Sequence, residues 1–399
     1  MTAVVTSPAT TGNVDVEDMV LDLVRDRLAG LGRQYTPVDV ASAMRAEGLV
    51  VSDSAVLEIV ESLRRHSVGA GPLEQLLHQP GVTDVLVNGA DQVFVDRGAG
   101  LELTGVRFRC EGDVRRLAQR LAASVGRRLD DAMPFVDARL ADGSRVHAVL
   151  GTLASPGTCI SLRVPAHRSF SLQDCVASGS VTPGAAQLLS RMIEAKLAFL
   201  ISGGTGSGKT TLLAALLALV PPEERIVIVE DSRELAPHHP HVVRMEGRPA
   251  NTELAGAITL TDLVRQSLRM RPDRLVVGEV RGAEICDLLT AMNTGHEGGC
   301  GTVHANSTAD IPARLEALAS LGGLPRSALH AQLASALDAV VHVARDDSGM
   351  RRVAEISIFV REPGSGLVHS ECAVHFRSDG GTALGAGSRQ LERMLDRSS

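Results

Sequence analysis

Lysine is almost missing from this chain. Of its 40 basic residues, only Lys196 and Lys209 are lysine and the rest are arginine. A position that keeps lysine against such a bias needs a compact ammonium on a flexible stem, which a planar guanidinium cannot imitate. Lys209 is read as that position. Long apolar runs are missing too. Nothing approaches the roughly 18 apolar residues a membrane-crossing helix needs, and stretches such as Ala214–Val220 are core-sized. Residues 1–15 have neither the basic nor the apolar segment of a secretory signal. The expectation is therefore a cytoplasmic protein, which could still sit peripherally at the cytoplasmic face of a membrane through a partner. No CxxC pair occurs among Cys110, Cys159, Cys175, Cys286, Cys300 and Cys372. They are read as reduced and mostly buried, forming neither disulfides nor a metal site. An excess of positive charge is also lacking. The net charge of -7 argues against a non-specific coat on nucleic acid, while leaving room for a local basic patch. No solenoid repeat is present.

What the chain does contain is length and apolar content for two or three domains: 399 residues, 44% hydrophobic and 22% charged. Residues 1–15 are small, polar and aperiodic, as in a disordered tail. Residues 16–70 read as a helical module, with Val20, Val24 and Leu28, then Val56, Ile59, Val60 and Leu63, at helical spacing. Gly69, Gly71 and Pro72 end it. Residues 71–166 change to an α+β texture. Strands are expected at Asp84–Val87, Gln92–Asp96, Leu101–Arg109, Val136–Leu140, Arg145–Leu150 and Cys159–Val164. Val114, Leu117, Leu121 and Val125 mark one helix face. Residues 167–183 are polar and read as a linker. Residues 184–345 alternate strand and helix, which implies an α/β fold with a mainly parallel sheet. Residues 346–399 read as additional strands, Val353–Val360 and Leu367–Val374, and a polar Gly/Ser/Arg-rich tail.

The most specific signal lies in that alternating region. Gly203, Gly204, Thr205, Gly206, Ser207, Gly208, Lys209 and Thr210 fill G-x-x-x-x-G-K-[ST] completely. A short apolar strand precedes the run and an Ala/Leu-rich helix follows it. Glycines let the backbone fold back so that several N–H groups face one phosphate, and the helix N-terminus adds its positive end. Lys209 is expected at the β- and γ-phosphates of ATP, Thr210 on Mg²⁺ through its hydroxyl, and Thr211 beside them.

Hydrolysis further needs a water aimed at the γ-phosphate, so carboxylates are sought at the ends of neighbouring strands. Ile226–Val229 runs into Glu230 and Asp231, and Leu275–Val277 into Gly278 and Glu279. Glu279 is the candidate general base. Glu230 and Asp231 are candidates for Mg²⁺ or its waters, with Glu234 behind them. These carboxylates could instead cap following helices. Gly278 stands where P-loop enzymes commonly carry aspartate, which keeps open a nucleotide-gated scaffold with little turnover. His304, after the short strand Gly301–Val303, is a candidate sensor of the γ-phosphate or the attacking water, and His296 a weaker one. His296, Cys300 and His304 are not gathered as metal ligands, because glycines and a strand separate them.

Together these runs resemble the secretion ATPase superfamily of type II secretion, type IV pili and conjugative type IV secretion. Besides the phosphate loop, the matching runs are Val229–Leu235, Met270–Arg281, and Thr294–Gly298 with Gly301–Ser307. Gly71–Glu74, Val82–Gly89, Val136–Leu140 and Asp142–Val146 look like the Tad/Flp-pilus branch. The resemblance covers roughly residues 68–345. It implies a RecA-like P-loop core after the α+β N-terminal domain, which itself follows the helical module read above. It also implies a homo-hexameric ring that hydrolyses ATP with Mg²⁺. The partner would be an integral membrane platform protein, with pilin-like substrates reached indirectly and nucleic acid not expected. Conjugation-type assistance of DNA transfer is the alternative. In such proteins N-terminal arginines close over the phosphates. Arg139, Arg145 and Arg163 match that role and Arg281 would act within the core, unless these are surface charges or ion pairs. The four-cysteine zinc subdomain of many type II members has no counterpart here.

Overall fold

The structure is a computed structural model. It describes residues 24, 27, 36–49, 52, 55–57, 59, 60, 69–98, 100–164, 170–248, 250, 256–346, 349–377 and 379–396. The expected tail at 1–15, the periodic positions Val20, Leu28 and Leu63, and residues 167–169 lie outside these. The chain divides after residue 165 into two compact units.

In the first unit, helix Pro37–Ala46 opens on a capping box in which Thr36 and Asp39 satisfy each other's backbone N–H groups. It packs Val40, Ala43 and Met44 on Val24 and Val56. The rest of the unit is an antiparallel sheet. Its strands are β1 (Asp84–Asn88), β2 (Gln92–Asp96), β3 (Leu101–Leu103), β4 (Phe135–Arg139), β5 (Arg145–Val149) and β6 (Cys159–Arg163), in the order β3-β2-β1-β6-β5-β4. Alternate residues of β1 and β5 are buried, the pattern of a sheet with one covered face. Helix Glu111–Ser124 contributes Val114, Leu117, Ala118 and Leu121 to the same core. The strand expected over Leu101–Arg109 stops at Leu103. Three exposed residues on an edge strand bury too little to carry the pairing further.

The second unit is a nine-stranded sheet. Its strands are β7 (Phe199–Ser202), β8 (Ile226–Glu230), β9 (Val242–Glu246), β10 (Arg274–Val280), β11 (Cys300–Val303), β12 (Ala339–Arg345), β13 (Arg351–Arg361), β14 (Val368–Phe376) and β15 (Thr382–Leu384). The order is β15-β14-β13-β12-β7-β11-β10-β8-β9. From β12 to β9 the neighbours run parallel, and from β12 to β15 antiparallel. β7 and β8 are buried at every position, which explains why they read as unbroken apolar runs. Two apolar clusters cover the sheet, one including Leu189, Leu213, Leu216 and Ile228, the other Leu200, Val264, Leu288 and Leu315. Among the described residues, no helix is long and apolar enough to cross a membrane.

Four further expectations are corrected. Residues 170–183 are not a linker. Ser171 and Asp174 form a capping box for helix Leu172–Ala177, which buries Leu172 and Cys175, and Thr182 caps helix Pro183–Glu194. The alternating core does not end at residue 345, since β13, β14 and β15 extend its own sheet. The expected polar tail contains helix Ser388–Leu395, which buries Leu391 and Leu395 one turn apart. The cysteines are all free, but only Cys175 and Cys300 are buried; Cys110 is exposed and the others are half-buried. Burial pushes the Cys300 thiol up to about 12.

One charged side chain is set deep in this core. Arg274, 1% exposed, donates to Glu224 at 2.6 Å and to the Ile193 carbonyl at 3.0 Å, while Lys196 reaches Glu224 at 2.8 Å. Removing one partner of a buried pair strands the other. Arg274→Ala should therefore lower the stability of the second unit by about 3–5 kcal/mol, read as a lower urea midpoint. A change under about 1 kcal/mol would show that the guanidinium is dispensable.

Candidate active site

Parallel strands deliver their C-terminal ends to one edge of the sheet, where ligand sites of open α/β folds form. Here that edge receives the loop after β7, Glu230 at the end of β8, Glu279 near the end of β10, and His304 after β11. The loop turns at Gly203, whose φ is +152°. A Cβ there would lie 2.3 Å from the Val343 carbonyl oxygen and 2.7 Å from Ser207 Oγ, so only glycine fits. Helix Lys209–Leu217 follows directly. Gly204, Thr205, Gly206 and Thr211 are exposed, Gly208 and Thr210 half-buried, Ser207 buried. The Ser207 hydroxyl is buried without a hydrogen-bond partner.

Lys209 is 7% exposed. Its ammonium donates to the carbonyls of Gly203 and Gly204 at 2.9 Å each and reaches His304 Nδ1 at 3.4 Å. Burial, countered in part by Glu279, holds its pKa below the ordinary lysine value. His304 Nε2 in turn lies 2.6 Å from Glu279 Oε1. An ammonium on Nδ1 and a carboxylate at Nε2 select one tautomer: Nδ1 accepts, and the Nε2 proton faces Glu279. Burial first, and the Lys209 charge second, lower the His304 pKa, which favours that neutral form. Arg281 binds the other oxygen of Glu279, with Nε at 2.7 Å from Oε2. Glu279 Oε1 is buried and accepts no well-aligned hydrogen bond. An acceptor in that condition suits a water held between it and a phosphate.

The register of β10 and β11 shifts between Val277 and Val280. A bulge re-aims side chains beside a site, and this one brackets Glu279. The turn leading into the next helix has its own carboxylate: Glu284 Oε1 accepts from the backbone N–H of Arg281 at 2.6 Å and of Gly282 at 2.8 Å. That turn is held by Glu284, a residue the sequence reading did not single out, the helix itself has no side-chain cap, and Glu279 is left to face Lys209 and His304.

Glu230 is only 4% exposed. Its Oε1 accepts from the N–H groups of Glu234 and Leu235 at 2.9 and 2.8 Å, and Arg244 stands 3.9 Å from Oε2. Burial raises its pKa. It thus organises the turn after β8, while Asp231 and Glu234 are exposed beside it. Val229 pairs with Val277, so Glu230 lies alongside Gly278. A Cβ on Gly278 would meet Glu230 Cγ at 2.6 Å. The space that an aspartate at 278 would use is filled by the carboxylate of the neighbouring strand. Among the described residues, no three His, Cys, Asp or Glu side chains are grouped to hold a metal by themselves. A Mg²⁺ at this edge would take most of its oxygens from phosphate and water. The Thr210 hydroxyl and Glu230 Oε2, which is buried and accepts no hydrogen bond, are the protein groups that fit it.

His296 does not join the cluster; its Nδ1 lies 3.2 Å from the Ala291 carbonyl oxygen. Arg345, unforeseen from the sequence, donates to the Gly206 carbonyl at 3.3 Å. Within the first unit, register places Arg139 opposite Arg145, and Arg145 opposite Arg163. The three thus form one cross-strand row. Asp137 binds Arg145 at 2.8 Å, and Asp84 binds Arg163 at 3.1 Å.

Residues 66–379 match the family described as Type II/IV secretion system protein. A putative conjugal transfer protein of Mycobacterium tuberculosis (strain ATCC 25618 / H37Rv) is 54% identical over 321 residues, 79% of this chain and 91% of that protein. The type IV secretion system protein PtlH of Bordetella pertussis (strain Tohama I) is 33% identical over 313 residues, 71% of this chain and 92% of its own. The X-ray structure of the Yersinia pseudotuberculosis ATPase DotB is similar with a TM-score of 0.51 at 16% identity, over 92% of this chain and 85% of that one. That likeness speaks to the fold, a RecA-like core.

The packing of Glu230 over Gly278 has a measurable consequence. Gly278→Asp should destabilise the chain by about 1–3 kcal/mol, because two carboxylates would compete for one space. Glu230→Ala should relieve most of that loss, giving a non-additive double-mutant cycle. Strict additivity in urea unfolding would contradict the contact.

Proposed function

Because the chain belongs to the type II/IV secretion system protein family, we propose that it is a P-loop ATPase whose turnover of ATP powers a pilus-assembly or secretion apparatus. The observation that carries this reading is the contact chain Lys209–His304–Glu279–Arg281 at the mouth of the phosphate loop. In this reading, Lys209 exchanges its two loop carbonyls for the β- and γ-phosphates, and the amides of Gly204–Lys209 take the remaining oxygens. Thr210, with Glu230 and Asp231 through waters, faces the Mg²⁺. Bound Mg²⁺ supplies charge neutralisation on the phosphates. Glu279 orients the attacking water on its inward oxygen and accepts its proton, while Arg281 holds the outward oxygen in place. His304 links the base to Lys209, so that loss or gain of the γ-phosphate is felt at both. The Gly278 substitution does not argue for a passive scaffold, because Glu230 supplies a carboxylate at that place.

The row Arg139–Arg145–Arg163 supports a role in phosphate neutralisation. Like charges placed opposite one another on a sheet are unfavourable; Asp137 and Asp84 offset two of them, and a phosphate would engage the same guanidinium donors. A homo-hexameric ring peripheral to the cytoplasmic face of the membrane fits this assignment. An integral membrane platform protein would be its partner, with pilin-like subunits its indirect cargo. The Tad/Flp branch is the finer reading that the motifs of the first unit favour. The relatives named for conjugal transfer favour a second, an ATPase that assists DNA transfer. Stimulation of ATP turnover by single-stranded DNA would select the second reading, and its absence the first.

Glu279→Gln in the full chain tests the shared core of both. Phosphate release should fall by about a hundredfold or more while ADP binding persists. Wild-type turnover should hold down to the ordinary histidine value of 6.5 and fail only below it, because the His304 pKa is lowered and its neutral form is the working one. Undiminished release by the Gln variant, or activity lost on acidification well above that value, would contradict the assignment.

A further inference from the structure

The polar side chains of β13 are out of character with its surroundings. The strand lies within the sheet and buries Val353, Ile356, Ile358 and Phe359, yet it carries Glu355 and Ser357. Ser357 is fully buried. Buried polar groups are costly unless bonded, and here each bond leads toward the active-site edge. Glu355 Oε1 accepts from Thr308 Oγ1 at 2.7 Å and also from Ser357 Oγ. Ser357 Oγ lies a further 3.4 Å from Thr308 Oγ1. On the adjacent β14, Ser370 Oγ donates to the Thr308 carbonyl at 2.8 Å. Thr308 is 8% exposed and follows His304 by four residues, in the loop that leads to helix Ile311–Leu321.

The same loop is fixed at its other end. Thr302 Oγ1 donates to the Gly278 carbonyl at 2.7 Å, one residue before Glu279. The segment carrying His304 is therefore tied in front to the strand of the candidate base and behind to β13 and β14. The hairpin also reaches the phosphate loop: His342, the cross-strand partner of Glu355, stands with Nδ1 2.9 Å from Ser202 Oγ, immediately before Gly203.

We propose that Glu355 is a positioning residue that acts through Thr308 to hold the His304 loop, so that the imidazole bridges Lys209 and Glu279. The inference rests on the reading of Glu279 and His304 as hydrolytic groups. Neither Glu355 nor Thr308 touches the phosphate loop, so their loss should misplace His304 without weakening nucleotide binding. A displacement of reacting groups on the order of 1 Å can cost about a hundredfold in rate.

The test compares steady-state ATP hydrolysis and ADP affinity in the full chain for Thr308→Val, Thr308→Ser, Glu355→Ala and Glu279→Gln. Thr308→Val keeps the shape and removes the hydroxyl, and its kcat should fall about tenfold or more with KM and ADP affinity within about twofold. Thr308→Ser restores the donor and should stay near wild type. Glu355→Ala should match Thr308→Val; if it does not fold, the Thr308 pair decides alone. Wild-type kcat in Thr308→Val beside an inactive Glu279→Gln would overturn the role of Glu355 and leave the hydrolytic reading intact. A loss confined to KM, or equal losses in the Val and Ser variants, would overturn it as well. An active Glu279→Gln would remove the hydrolytic reading and this inference with it.

Discussion

A buried ammonium is tolerable only where fixed oxygens surround it, and the core unit is organised around that of Lys209. The charge sits at the N-terminus of a helix, where the helix dipole is itself positive, so the helix opposes it. Two loop carbonyls, one histidine nitrogen and the nearby Glu279 carboxylate make up the difference. Those carbonyls belong to the phosphate loop itself. The arrangement is thus held by contacts that an incoming phosphate can replace with stronger, charge-assisted ones. Each neighbouring strand end then has a role set by its distance from this charge. Glu279 and His304 are in its immediate circle, while Glu230 uses one oxygen, Oε1, to hold the loop after β8.

Much of this was legible in the residues. The phosphate loop could be read because its glycines, its lysine in an arginine-rich chain and its flanking apolar strand all report the same geometry. Glu279 and His304 were legible as residues that end short apolar strands, since parallel strands bring such ends to one edge. Their mutual contact was not legible, because it depends on a bulge between Val277 and Val280 that leaves no local mark. The meaning of Gly278 was likewise hidden. It depends on which residue of β8 lies beside it, and register between strands distant in sequence cannot be read from either strand alone.

Residues 170–183 looked like a linker because Ser171, Asp174 and Thr182 are polar, yet these are the capping groups that start two helices. The strands after residue 345 were set apart from the core because no motif reaches them, yet they extend its sheet, and β13 carries Glu355 and Ser357 among apolar residues. Those polar residues point to Thr308, and their purpose appears only when β11 and β13 are seen in one sheet. Polarity inside β13 marks a buried connection. For the row Arg139–Arg145–Arg163, strand register rather than spacing in the sequence brings the three together.

The central claim is that the loop from Gly203 to Thr210 grips a triphosphate while Glu279 presents water to it. A crystal structure with Mg²⁺ and a non-hydrolysable ATP analogue tests this most directly. The account predicts the Lys209 ammonium on the β- and γ-phosphates, released from the Gly203 and Gly204 carbonyls, with a water on Glu279 Oε1 facing the γ-phosphate. A nucleotide bound elsewhere, or Lys209 still on its two carbonyls with Glu279 turned from the phosphate, would contradict it.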